Sequence, residues 1–179
     1  MRAYLHAVVA SSLLALAARS AVAKQIQLLH GQLSFAISED VSEVSVSPAA
    51  TDRYSVLADL ASADHTFSVR VTYGKHTLQK ADLADFLREK VSLFSKPGAK
   101  LPNFRWLSHD LVERQGQRWA DVSFTQDTSS GSHVYTRSLS CFVHGHLLEI
   151  WALTRHAADP RQRARVDRLV DSIRLTRTA

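Results

Sequence analysis

The sequence predicts an α+β domain: an antiparallel β-sheet of hairpins and a four-strand meander, packed by two amphipathic helices into an α/β/α sandwich. Three observations predict it. Phe67, Val69, Val71 and Tyr73 alternate with Thr66, Ser68, Arg70 and Thr72, the period-two pattern of a strand with one buried and one wet face. Leu83, Phe86, Leu87, Val91 and Phe94, and later Val166, Leu169, Val170 and Ile173, fall on helical spacing. Between residues 104 and 154 four strand-like segments follow one another through short polar links. No β-α-β alternation of a nucleotide-binding sheet is present.

In chain order, Gln25 to Leu29 and Leu33 to Ile37 are short β-prone segments around His30-Gly31-Gln32. Ser38 to Asp52 is polar and contains Pro48, so it reads as a connection. Tyr54 to Leu60 and His65 to Tyr73 form a hairpin across Ala61 to Asp64, ended by Gly74. Lys80 to Lys96 reads as the first helix. Asp82 and Asp85 in its opening turns suit the helix dipole, and Pro97-Gly98 stops it. The meander is Phe104 to Arg114, Gln117 to Thr125, His133 to Val143 and Leu147 to Thr154, with hairpin turns at Gln115-Gly116 and Gly145. Asp159 as N-cap and Pro160 at the first helical position open a second helix that runs to Ile173. Leu175 to Ala179 reads as a tail.

The N-terminus predicts export. Arg2 supplies a positive start, Leu5 to Ala18 is apolar or small, and Ala21-Val22-Ala23 offers small residues where signal peptidase needs them. As a helix, about fourteen residues span roughly 21 Å, short of the ~30 Å hydrocarbon core. Residues 1–23 are therefore expected to be a cleaved signal peptide, with a retained anchor as the rival reading, and residues 24–179 a single domain without a membrane anchor. Cys141 is the only cysteine, which excludes a lipoprotein anchor and any intramolecular disulfide; within its strand-like run it is expected to be buried. Loss of Arg2 and Arg19 lowers Lys plus Arg from 22 to 20 against 17 acidic residues, a net charge of +3 in place of +5. That balance, with export, argues against nucleic acid as a partner. The expected location is the periplasm or the exterior.

The order of elements resembles a known family. The residues that carry the likeness are Leu33-Ser34-Phe35-Ala36-Ile37 near the start, and Leu147-Leu148-Glu149-Ile150-Trp151-Ala152-Leu153-Thr154 leading through Asp159-Pro160 to Val170-Asp171-Ser172-Ile173-Arg174-Leu175. In pattern they resemble the PsbP/Mog/DcrB-like α/β/α sandwich proteins over nearly all of residues 24–179. The resemblance implies a scaffold used for interaction more than for chemistry, and it carries over no ligand motif residue by residue.

The residues themselves offer few sites. His144-Gly145-His146, with Glu149 nearby, is the sharpest histidine set; two imidazoles around a turn suit a metal only if further donors converge, and a solvated turn is the simpler account. There is no G-x-S-x-G elbow, and Ser129 to His133 reads as a polar loop. Trp106, Trp119 and Trp151 all fall in strand segments. Trp119 is in phase with Asp121, Ser123 and Thr125, opposite Ala120, Val122 and Phe124. It is therefore expected on the more polar face, where with Arg118 and Arg105 it would form a partner-binding patch. The functional expectation is a non-enzymatic, exported protein-interaction domain without a cofactor, an accessory, chaperone-like or toxin-neutralising partner of another envelope protein. The alternative is a small-ligand or metal-binding periplasmic protein.

Overall fold

The computed structural model describes residues 23–46, 55–75, 82–96 and 101–176. The expected signal peptide, and with it the cleavage near Ala23, lies outside the described residues apart from Ala23 itself. The described residues form an α+β fold of antiparallel sheets with two helices. The strands are β1 (Lys24–Leu28), β2 (Leu33–Ile37), β3 (Val41–Val46), β4 (Ser55–Ser62) and β5 (Phe67–Lys75), followed by helix α1 (Leu83–Ser95). Then come β6 (Arg105–Arg114), β7 (Gln117–Asp127), β8 (His133–Val143), β9 (His146–Thr154), helix α2 (Pro160–Ser172) and β10 (Arg174–Leu175).

Two sheets replace the single sheet expected. The larger has the order β3-β4-β5-β9-β8-β7-β6 and the smaller β1-β2-β10. Consecutive hairpins join β6 to β9. Two of their turns, Gln115-Gly116 and His144-Gly145, have positive φ at both central residues, 53° and 70°, then 49° and 76°. That is the conformation whose twist matches a two-residue hairpin, and the glycine takes it at no steric cost.

Alternation assigns the two faces. In β9, Leu148, Ile150 and Ala152 join a core with Val166, Leu169 and Val170 of α2 and with Leu33, Phe35 and Ile37 of the small sheet. On the opposite face Leu147 packs with Ala120, Val122 and the α1 residues Leu83, Phe86 and Leu87. Helix α2 starts as the sequence predicts, with Asp159 accepting from the backbone N–H of Arg161, while α1 starts at Leu83 with Asp82, expected inside its first turns, as the cap that accepts from the Ala84 N–H. Helix α2 is tied to the small sheet where the backbone N–H of Ala36 donates to Ser172 Oγ at 2.9 Å.

Two elements depart from expectation. Residues 41–46 of the supposed connection are strand β3, at one edge of the large sheet, while 47–52 lie outside the described residues. A register shift between Glu43 and Ser45 breaks the pairing with β4, so Val41, Val44 and Val46 do not alternate and the period-two signal is lost. The start of the tail is strand β10, with Arg174 opposite Ser34 and Leu175 opposite Leu33; two residues carry no periodicity to read.

The β4–β5 turn is held by a carboxylate. Asp64 accepts from Ser62 Oγ at 2.5 Å, and from the backbone N–H and hydroxyl of Thr66 at 3.1 and 2.9 Å. These bonds, led by the Ser62 hydroxyl, favour the charged form and hold Asp64 at about 2, below its ordinary 3.8. The folded group binds its proton less readily than the unfolded one, so its contribution is present above about pH 4 and lost as pH falls toward 2. Ser62→Ala should move the carboxyl midpoint, followed by NMR titration, back toward 3.8; an unmoved midpoint would clear Ser62 of that role.

Candidate functional site

The predicted patch of Trp119, Arg118 and Arg105 is not assembled. Trp119 is 2% exposed and belongs to the core beneath α2. Its phase of β7 is polar yet buried, because its polar groups find partners across the sheet and helix. Asp121 accepts from Arg137 Nε at 3.1 Å and Nη2 at 2.8 Å, and from Arg114 Nη2 at 2.9 Å. Arg137 and the Tyr135 hydroxyl reach Asp167 of α2 at 3.2 and 2.8 Å. Arg114 donates to the Val170 carbonyl at 3.2 Å. Burial, then the Asp167 carboxylate, push the Tyr135 hydroxyl well above its ordinary range. This network fastens α2 to the sheet. Arg118 and Arg105 are both exposed, but Arg118 pairs with Glu113, eight positions along β6 from Arg105 and so about 26 Å away at the usual strand rise.

At the His144 turn, the ring of His146 stacks on Tyr73 with centroids 5.0 Å apart, and its Nδ1 donates to the His144 carbonyl at 3.0 Å. Among the described residues no group of three or more His, Cys, Asp or Glu is placed to hold a metal ion. Cys141 is buried in the core, and burial pushes its thiol far up, away from the reactive thiolate. In the loop before β8, His133 pairs with Asp127 at 2.6 Å, and Thr128 bonds Ser130 and Ser132, a self-bonded turn.

The site that the structure does assemble lies on the other face. Helix α1 rests mainly over β6 and β7, and a groove runs between it and the β4–β5 side of the same sheet face. One cavity of about 470 Å³ is lined by Asp59, Ser68, Arg70, Glu149, Trp151 and Leu153. A second, of about 210 Å³, continues along α1 past Glu89 and Leu93, and the two share Glu149 and Trp151. Arg70 and Asp59 form an ion pair at 2.6 Å on the sheet wall. Leu93, 51% exposed, projects from the helix wall, and Val56 of β4 is exposed too.

Beneath the groove lies a buried charge pair. Lys90 Nζ donates to Glu149 Oε1 at 2.9 Å and to Ser138 and Ser140 Oγ, each at 3.2 Å. The same ammonium sits 4.0 Å from the centroid of the Trp151 ring, a cation–π contact. Burial pushes Lys90 below its ordinary range, against the opposing pull of Glu149. Both serines are 0% exposed, so their contacts with Lys90 satisfy a buried ion and present no nucleophile to a substrate. Around Trp151 gather Phe94, Phe124, Trp106 and Phe104, with Phe94 6.4 Å from Trp151 and Phe104 4.9 Å from Trp106. The Trp106 indole N–H donates to Ser95 Oγ at 3.1 Å, which fastens the end of α1. The groove thus offers an aromatic floor, an aliphatic helix wall and one arginine–carboxylate pair, a surface suited to an apolar segment with a polar edge.

Sequence reasoning passed over Lys90 and noted Glu149 only as a neighbour of the His144–His146 turn, although a signal for the pair existed. Lys90 occupies the i+7 position of the stripe that starts at Leu83, where the pattern calls for an apolar residue, and Glu149 interrupts Leu147-Leu148-Ile150-Trp151. Two opposite charges in apolar phases of two elements mark a buried pair.

No family profile and no curated relative matches the sequence. Solved structures do. Cyanobacterial PsbP (CyanoP) from Synechocystis sp. PCC 6803 superposes with a TM-score of 0.63 at 10% identity, covering 87% of this chain and 93% of that one. LpqN of Mycobacterium tuberculosis, described as involved in cell envelope biogenesis, gives 0.53 at 11% identity over 87% and 91%. A protein from Bacteroides thetaiotaomicron VPI-5482 gives 0.51 at 11% identity, over 86% of this chain and 48% of its own. The resemblance to the PsbP/Mog/DcrB-like proteins seen in the sequence is thus a likeness of fold, and the chain has the PsbP-like fold.

Proposed function

We propose that this chain is an exported accessory protein that works by binding a segment of another envelope or secreted protein in the groove beside α1, without catalysis. The observation that carries the reading is the groove: apolar Leu93 and aromatic Trp151 face open space beside the Arg70–Asp59 pair. The leader-like residues 1–23 support export, and among the described residues no helix is long and apolar enough to cross a membrane. The fold shared with LpqN, a protein of cell envelope biogenesis, supports a role at the envelope. A small organic ligand is the rival occupant, favoured by the 470 Å³ of the larger cavity.

A photo-crosslinking residue placed at position 93 in the exported protein tests this. A discrete crosslinked protein is expected from position 93 and none from position 118, beside the β6–β7 turn and outside the groove lining. Crosslinks from 118 alone, or from neither position, count against the groove. A retained small molecule in the native mass spectrum, with no crosslinked protein, would select the rival.

A further inference from the structure

On the opposite side of the large sheet, between α2, the small sheet and the start of β5, lies a separate cavity of about 360 Å³. Ala36, Ile37, Phe67 and Leu169 give it an apolar lining, and Arg165 and Arg168 stand at its border. Its volume falls in the range of small-molecule sites, about 300–1,000 Å³. We infer that this cavity binds a small organic monoanion with an apolar body, such as a medium-chain or aromatic carboxylate. The inference is independent of the groove.

Charge and the apolar lining carry it. The Arg165 guanidinium lies 4.2 Å from the Phe67 ring centroid. Its Nη2 donates to Ser38 Oγ and to both oxygens of Asp40 at 2.7 Å. Although burial pushes the Asp40 carboxyl up, Ser38 and Arg165 hold it below its ordinary value, so that pair is electrically closed. The Nε–H of Arg165 is shut off from solvent, so a ligand in the open cavity does not reach it, and the charge left for a ligand is that of Arg168. Arg168, one turn further along α2, makes no ion pair among the described residues. The cavity border therefore carries one uncompensated positive charge beside an apolar pocket. A carboxylate on an apolar tail answers both, whereas a neutral tail answers only the apolar lining and a cation is repelled.

The probes are octanoate, 1-octanol and octylammonium, titrated by calorimetry at constant ionic strength into protein expressed as the full 179-residue chain, its N-terminus read by intact mass. Octanoate is expected to bind at least tenfold more tightly than octanol, and octylammonium not measurably. Arg168→Ala should remove that tenfold preference and leave octanol unchanged. Ala36→Leu, which fills the cavity, should abolish both, and Arg118→Ala, remote on β7, should alter neither. The inference is overturned if octanol matches octanoate, if octanoate fails to bind, or if Arg118→Ala weakens octanoate as much as Arg168→Ala. Because Arg168 is exposed, its variant folds and the test stands even if Ala36→Leu does not.

Discussion

Replacing Lys90 with alanine is expected to cost about 3–5 kcal/mol of folding stability, the usual penalty for removing one partner of a buried ion pair. The side chains of Lys90 and Glu149 are only 7% and 11% exposed, so water cannot take over the lost contact cheaply. Truncation leaves the Glu149 carboxylate without its ammonium and the Ser138 and Ser140 hydroxyls without their shared donor. It also removes the cation from the Trp151 face, worth about 0.5–2 kcal/mol more. The double replacement Lys90→Met with Glu149→Leu should recover most of the loss, since an apolar pair of similar volume avoids desolvating two charges. Urea denaturation of the two single variants and the double variant closes the cycle. A loss below about 1 kcal/mol for Lys90→Ala, the range of an exposed pair, would show that the pair is hydrated and not buried beneath the groove.

The second large effect is expected at Trp119. Trp119→Ala should destabilise by about 3–5 kcal/mol, the range for emptying an aromatic site in a core, whereas Arg118→Ala next to it should stay within about 0.5 kcal/mol. The contrast separates the two readings of this strand. A partner-facing tryptophan would lose binding and keep stability; a tryptophan 2% exposed does the reverse. Equal and small losses in thermal unfolding of the two variants would restore Trp119 to the surface.

The Trp119 reading shows how far the sequence could be followed. The alternation in β7 was visible, and so was the division into an apolar and a polar phase. What one strand cannot state is which phase faces solvent. Trp119 and Asp121 are buried because Arg137 from β8, Arg114 from β6 and Asp167 from α2 converge on that face. A face rich in polar atoms can be interior when every donor meets an acceptor. The groove escaped for a related reason. Lys90 and Glu149 are 59 positions apart and meet only because β9 lies inside the sheet, between β5 and β8.

By itself the sequence determined what depends on neighbours along the chain. The two helices, the Asp159 cap, the strands from β4 to β9, the glycine turns between hairpins and the burial of Cys141 all follow from periodicity and turn chemistry within a few residues. Tertiary structure alone decided what depends on residues distant in sequence. It divided the strands into two sheets and gave 41–46 and 174–175 their partners. It also turned the polar phase of β7 inward, and set Arg165 and Arg168 beside an apolar cavity. Strand pairing and charge pairing act between elements, so their outcome is set by which elements meet and leaves no period in any one of them.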